Sequence, residues 1–197
     1  LSLSDLDPEL VKLANKECLL SSTYEPSSKT KMKLRAAPGA GTMYLQSECA
    51  EALAELFAGA EEAGYKLYLK SAYRAYKTQK TMYNNRLERN NGKDDGWVSK
   101  PGASDHQTGL GCDVVPGSWK DKSMNSNMAS TPECQWMAEH CYEYGFVIRY
   151  PEDKQDITEI NYEPWHLRYV GKEVARYIWR NGLCLEEFHE QLQAAID

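Results

Sequence analysis

The chain has no C-x-x-C pair, no H-E-x-x-H, no G-x-S-x-G and no tract of lysine and arginine. Each absence removes a class. Without C-x-x-C, the six cysteines (Cys18, Cys49, Cys112, Cys134, Cys141 and Cys184) do not spell a zinc ribbon or a thioredoxin-like motif. Cys134 and Cys141 sit about two turns apart on a predicted helix, too far to bridge if it is regular. Most of the six are expected to be buried free thiols that behave as small apolar residues. A formal net charge of −6 with no basic stripe argues against a nucleic-acid partner. No basic amphipathic face marks a membrane-surface helix. The best apolar run, Ala50 to Ala60, is broken by Glu51 and Glu55, so no membrane span is expected. A starting Met and a signal-peptide apolar region are missing too, so the chain is expected to begin after a removed targeting or anchoring segment. There is no internal repeat and no low-complexity tract.

What remains suits one domain of 197 residues, able to bury a substantial core. Residues 1–47 read as an irregular lead-in packed on the domain, because Pro8, Pro26, Pro38 and Gly39-Ala40-Gly41 interrupt any long helix. From 48 to 63 the apolar residues Ala52, Leu53, Leu56, Phe57 and Ala60 recur at helical spacing and stop at Gly64. Alternation over 65–72 predicts a strand, and 77–89 a helix ended by Asn90-Asn91-Gly92. After a glycine-rich loop, short strands are expected at 112–115 and 146–150, with a helix at 132–144 between them. Residues 162–170 read as partly extended, and helices close the chain at 172–181 and 185–196. Helices and short strands interleave without β-α-β regularity. The fold class is therefore α+β, a small antiparallel sheet packed by helices on one side.

Four histidines are present, and two stand apart. His140 and His189 lie on amphipathic helices and read as surface residues. His106 belongs to Ser104-Asp105-His106-Gln107-Thr108-Gly109-Leu110-Gly111-Cys112-Asp113, where two glycines let the chain turn sharply into a strand. A loop imidazole and a strand carboxylate can then converge, and both are good zinc ligands. Alone, this segment reads as a polar turn capped by Ser and Asp. His166 ends Glu163-Pro164-Trp165-His166 and offers a third ligand, with Glu163 free to approach a vacant coordination position. Residues three apart in a straight strand face opposite ways, so Pro164 must bend the path. A third segment, Ser71-Ala72-Tyr73-Arg74 with Gln79 further on, places an arginine after a strand, where it can grip a carboxylate or a developing oxyanion.

The motifs S-x-H-x-x-G-x-x-x-D (Ser104 to Asp113), E-x-W-H (Glu163 to His166) and S-x-Y-R-x-x-x-x-Q (Ser71 to Gln79) occur together. In this the chain resembles the zinc D-Ala-D-Ala carboxypeptidase family, which includes the vancomycin-resistance carboxypeptidases and related cell-wall L,D-carboxypeptidases. The resemblance runs from about Leu13 to the C-terminal helix and includes Tyr144-Gly145-Phe146, Arg149-Tyr150-Pro151 and Tyr169-Val170-Gly171. It implies the Hedgehog/D,D-peptidase fold and a carboxypeptidase domain over 48–197. It implies one zinc ion on His106, Asp113 and His166, and Glu163 as catalytic base and acid. Arg74 would contact the scissile carbonyl or the terminal carboxylate, while Gln79, Ser104, Tyr150 and Trp165 line the substrate cleft. Cys112 departs from the alanine common in the family, a change of similar size.

The implied activity is removal of the terminal D-alanine from peptidoglycan stem peptides by a monomeric, extracytoplasmic bacterial enzyme. An L,D-carboxypeptidase acting on tetrapeptide stems and a dipeptidase are the enzymatic rivals. A catalytically silent peptidoglycan-binding module is the non-enzymatic one, and survival of all four catalytic positions weighs against it. A serine D,D-peptidase needs S-x-x-K with two partner motifs. Ser28 to Lys31 matches the first alone. The loops 118–131 and 152–162 are expected to shape the cleft.

Overall fold

The computed structural model describes residues 1–197. Its centre is a four-stranded antiparallel sheet made of β3 (Leu67–Ser71), β4 (Gly111–Pro116), β5 (Phe146–Ile148) and β6 (His166–Tyr169), in the order β3-β4-β6-β5. The lead-in contributes a 3-10 turn at Leu3–Asp5, a two-stranded ribbon of β1 (Thr30–Lys31) with β2 (Tyr44–Leu45), and a parallel bridge from Ala36 to Leu69 of β3. Helices α1 (Ser47–Glu62), α2 (Tyr76–Arg89), α3 (Pro132–His140), α5 (Lys172–Asn181) and α6 (Leu185–Ile196) fall where the periodicity predicts, and α4 (Gln155–Thr158) is a single turn in the polar loop. The last turn of the expected 132–144 helix tightens into a 3-10 turn, Cys141–Tyr144, a common way for a helix to end. No helix is long and apolar enough to cross a membrane.

Strand alternation divides the sheet into two chemically distinct faces. Leu67, Leu69, Cys112, Val114, Leu167 and Phe146 enter the main core with Cys49, Leu53 and Leu56 of α1 and Met137 of α3. A fully buried side chain of this size contributes about 1.5–3 kcal/mol. Five of the six cysteines are buried, and Cys49 and Cys112 sit fully inside this core as the small apolar residues expected. The opposite face carries Asp113, His166 and Arg168. Helices do not keep to one side. A second cluster joins Val147 and Val170 to Val174, Ala175 and Ile178 of α5 and to Leu185 and Phe188 of α6. The lead-in also packs inward, with Leu10, Val11, Ala14 and Leu45 buried.

Gly109 and Gly111 have separate reasons. Gly109 ends the 3-10 turn Asp105–Thr108 in the left-handed region at φ 73°. Gly111 faces Arg168 across the sheet and lies so close to the preceding turn that an added Cβ would sit 2.7 Å from the Asp105 Cβ. Gly111→Ala is expected to destabilise the fold by about 1–3 kcal/mol through overpacking, lowering the urea midpoint at unchanged m-value. An unmoved midpoint would mean that the Asp105 turn yields freely.

Candidate active site

Asp113 is the centre of a cross-strand row. It pairs directly with His166 on β6 and with Ser71 on β3. Simple alternation would put Lys70 opposite Asp113, but the register shifts between Leu69 and Ser71. That bulge returns a short hydroxyl to the polar face, where Ser71 Oγ donates to Asp113 Oδ2. Arg149, just past β5, extends the row through its backbone bond to the His166 carbonyl.

His106 reaches the same point from the turn before β4. The Ser104 hydroxyl accepts from the His106 amide and caps that turn, and the Arg74 amide donates to the His106 carbonyl at 3.0 Å. The His106 ring Nδ1 lies 2.7 Å from the Ala72 carbonyl oxygen. A carbonyl only accepts, so Nδ1 carries the proton and Nε2 presents a lone pair. Nε2 stands 3.4 Å from Asp113 Oδ2, and His166 Nδ1 stands 3.3 Å from Asp113 Oδ1.

Glu163 satisfies the geometric demand placed on Pro164. β6 begins only at His166, and the His166 amide closes a turn onto the Glu163 carbonyl at 3.2 Å. The turn folds the Glu163 carboxylate back to 3.5 Å from His166 Nδ1. Arg74, on the far wall, donates from Nη1 to Gln79 Oε1 at 2.9 Å, and the Gln79 amide donates to the Ser99 carbonyl at 2.7 Å. All nine residues singled out in the sequence line one cleft of about 470 Å³.

The ligand atoms of His106, Asp113 and His166 lie within 4.8 Å of one another, and all three side chains are buried. This set fits a divalent cation. Asp113 Oδ1 is buried without a hydrogen-bond partner, an arrangement that water-excluded carboxylates do not tolerate uncompensated. Burial, helped by the charge of Arg74, holds His106 below its usual pKa and so in the neutral form a metal requires. Burial also opposes charge on His166, but Asp105, Asp113 and Glu163 outweigh it and raise that ring to about 9. The pocket thus attracts positive charge, and a cation competes with that proton. Burial raises Glu163 to about 8, and the charge of Asp113 adds to the effect.

Four charged residues behind the site, Asp105, Arg149, Arg168 and Glu186, have a role the sequence reading did not assign, although Asp105 and Arg149 stand in segments it quoted. Asp105 is fully buried, with Oδ1 2.8 Å from Arg168 Nη1 and Oδ2 2.9 Å from Arg149 Nε. Arg149 also grips Glu186 bidentately at 2.7 and 2.8 Å. Arg168 donates to the Leu10 and Lys12 carbonyls, and Arg149 to that of Ala14, so the lead-in closes over both guanidiniums. Arg168 was findable, being two residues from His166 on the same face of a strand. Asp105 carried only the signal of an acid next to a candidate ligand. Glu186 carried none.

The remaining expectations divide. His140 pairs with Glu143 on the surface, whereas His189 is partly buried against the Val11 carbonyl, and neither lines the cleft. The Ser28 hydroxyl donates to Ser47, remote from the site chemistry. Loop 118–131 supplies Met124 and Asn125 to the cleft, but loop 152–162 does not line it. Asn161 instead braces the 95–97 backbone by bonds to Asp95 and Gly96, supporting Trp97, which stacks on Trp165 at 6.3 Å.

The ion pairs have a pH consequence. Burial raises Glu186, but Arg149 and Asn15 outweigh it and hold the carboxyl below its usual range. A group with a depressed native pKa binds fewer protons folded than unfolded, so its stabilisation is complete above the unfolded value of about 4.3 and fades below it. Unfolding free energy measured in urea is expected to decline below about pH 5 more steeply in the native protein than in Glu186→Gln. Equal slopes would remove Glu186 from the acid response.

The sequence matches the profile of VanY, D-alanyl-D-alanine carboxypeptidase, over residues 42–172. YodJ of Bacillus subtilis (strain 168), a candidate carboxypeptidase, is 39% identical over 191 residues, covering 95% of this chain and 70% of that protein. The solved structure of the LdcB LD-carboxypeptidase superposes with a TM-score of 0.85 at 38% identity, over 96% of this chain and 92% of that one. A mutant of the vancomycin-resistance D,D-pentapeptidase VanY from a VanB-type cassette, in complex with Zn(II), gives a TM-score of 0.75 at 28% identity, over 91% and 98% of the two chains. VanYB has also been solved in complex with D-alanine-D-alanine, with the same TM-score of 0.75. With its profile matched across most of its length and a relative this similar nearly end to end, the chain belongs to the VanY D-alanyl-D-alanine carboxypeptidase family.

Proposed function

We propose that the chain is a zinc-dependent carboxypeptidase that releases the terminal D-alanine of bacterial peptidoglycan stem peptides. The observation that carries this reading is the convergence of His106, Asp113 and His166 in the cleft that Glu163 and Arg74 also line. Three protein ligands with an open remainder characterise a catalytic zinc, whereas a structural zinc is enclosed by four. The Zn(II) bound by the VanY relative supports zinc over other divalent ions.

When bound, zinc supplies a Lewis acid for the scissile carbonyl and makes water acidic enough to ionise near neutral pH. The chain's own groups do the rest. Glu163, raised by burial, is basic enough to take a proton from the attacking water. The water oxygen bonds to the carbonyl carbon, the C–N bond breaks, and Glu163 returns the proton to the departing D-alanine amine. Arg74, aimed by Gln79, balances negative charge on the terminal carboxylate or on the reacting carbonyl oxygen. Ser104, Tyr150 and Trp165 shape the walls, and Tyr150 keeps the His166 ring in place at 5.0 Å between centroids.

The family description supports a D,D bond as the one cut. The greater likeness to LdcB favours a second reading, L,D cleavage of a tetrapeptide stem. Either substrate places the enzyme outside the bacterial cytoplasm, where the stem peptides of the wall lie, and a single chain holds every group named.

Glu163→Gln is expected to keep about one zinc per chain while turnover falls by about 10²–10⁴-fold. His166→Ala is expected to lose the metal. Near-native turnover in the first variant, or full zinc occupancy in the second, would exclude the roles assigned. Mass spectrometry of muropeptides incubated with the protein, with and without a chelator, separates the two bonds. Loss of one alanine from pentapeptides marks D,D cleavage and loss from tetrapeptides L,D cleavage. Chelator-sensitive release of neither would overturn the enzyme reading.

A further inference from the structure

His166 Nε2 and Asp105 Oδ2 are both buried, and neither has a hydrogen-bond partner. They face one another at 3.5 Å. The opposite ring atom, Nδ1, faces Asp113 and Glu163 in the cleft. An imidazole that offers a lone pair to a cation at Nδ1 carries its proton on Nε2. Asp105 Oδ2, 3.5 Å away and itself unpartnered, is a buried acceptor for that proton. Asp105 is in turn immobilised by Arg168 at 2.8 Å and Arg149 at 2.9 Å, which keep its two oxygens apart and oriented. Those arginines are themselves tied to Glu186 and to the carbonyls of Leu10, Lys12 and Ala14.

We propose that Asp105 is a positioning residue that, held by Arg149 and Arg168, fixes the tautomer and orientation of His166 so that Nδ1 is presented to the cation. The two histidines are then set by different means. His106 is fixed by a backbone carbonyl, which accepts whatever the residue's charge, and His166 by a carboxylate, which also raises the basicity of the ring. His166 lies between two acids on opposite edges, Asp105 and Asp113, and this explains why an aspartate precedes His106 in the sequence without ligating anything. The arrangement rests on the proposed metal site, and its test separates the two.

In the zinc-loaded native protein, 15N spectra of the His166 ring are expected to show a metal-shifted Nδ1 and a slowly exchanging Nε2–H. Zinc affinity, measured by competition with a chromophoric chelator, is expected to weaken by about 10–100-fold in Asp105→Asn. That variant loses the negative charge opposite His166 and turns one of the two acceptor oxygens that face Arg149, Arg168 and His166 into a donor. Coordination through Nε2, or an Nε2–H exchanging as fast as a free imidazole, would overturn the proposal. So would a folded Asp105→Asn with native zinc affinity. If the variant does not fold, the spectra of the native protein decide alone. Failure of the native protein to bind zinc at all would instead sink the metal reading itself.

Discussion

Asp113 is 4% exposed and stands between two imidazoles, with Glu163 and Arg74 facing it across a narrow cleft. Removing a carboxylate from water costs several kcal/mol after relaxation unless charge and hydrogen bonds replace the hydration. Much of the local structure answers that requirement. The bulge in β3 brings the Ser71 hydroxyl onto one oxygen, and the two histidines approach from either side. Yet one oxygen still lacks a hydrogen bond. Asp105, by contrast, faces a guanidinium at each oxygen, Arg168 at 2.8 Å and Arg149 at 2.9 Å. A carboxylate oxygen left without a hydrogen bond where three potential ligand side chains converge is suited to receive a cation.

The sheet reconciles this polar centre with a stable fold. Alternation sends Leu69, Cys112, Val114 and Leu167 into the apolar core and Asp113, His166 and Arg168 to the other side. Antiparallel pairing then sets the lateral spacing of the row, because directly opposed residues lie about 4.5–5.5 Å apart at Cβ. Coordination distance is therefore a product of strand register, and register is itself pinned by the burial of the apolar face. A one-residue slip of β6 would remove His166 from the site and bury it in the core. Strands of this kind hold side chains more firmly than loops do, which suits groups that must keep sub-ångström relations.

Much of the site was legible because its parts are local signals. Gly109 and Gly111 mark a turn into a strand, Pro164 marks the bend that brings Glu163 back to His166, and Arg74 follows a strand end. Helices with clear periodicity, such as α1 and α5, were equally plain. The bulge at β3 was not readable, since nothing in Leu-Tyr-Leu-Lys-Ser says which residue will oppose Asp113. The buried charge network was also hidden. Arg149 and Arg168 stand in segments the sequence marks, but their partners Asp105, Glu186 and the lead-in carbonyls lie tens of residues or more away. Long-range pairing of this kind leaves no periodic trace. The lead-in read as an irregular segment packed on the domain, and its hold on the two arginines was hidden for the same reason: it is made by backbone carbonyls, which every residue carries.

The cleft is assembled from two different parts of the molecule. The cation ligands and Glu163 come from β4, β6 and the turns that enter them, all tied to the core. The outer walls come from elsewhere: Met82 and Arg86 on α2, Trp97 and Val98 in the following loop, and Met124 and Asn125 after β4. Arg86 is committed to Asp95 at 2.6 Å, and Asn161 holds the backbone beneath Trp97, so this wall is braced by neighbours outside the sheet. Changes there can alter which peptide fits without disturbing the register that sets the ligands. Structures as similar as LdcB, an LD-carboxypeptidase, and VanY, a D,D-pentapeptidase, share this fold. Likeness along the sheet reports the reaction class. The Trp97–Trp165 stack, with ring centroids 6.3 Å apart, joins that outer wall to the segment that carries Glu163 and His166.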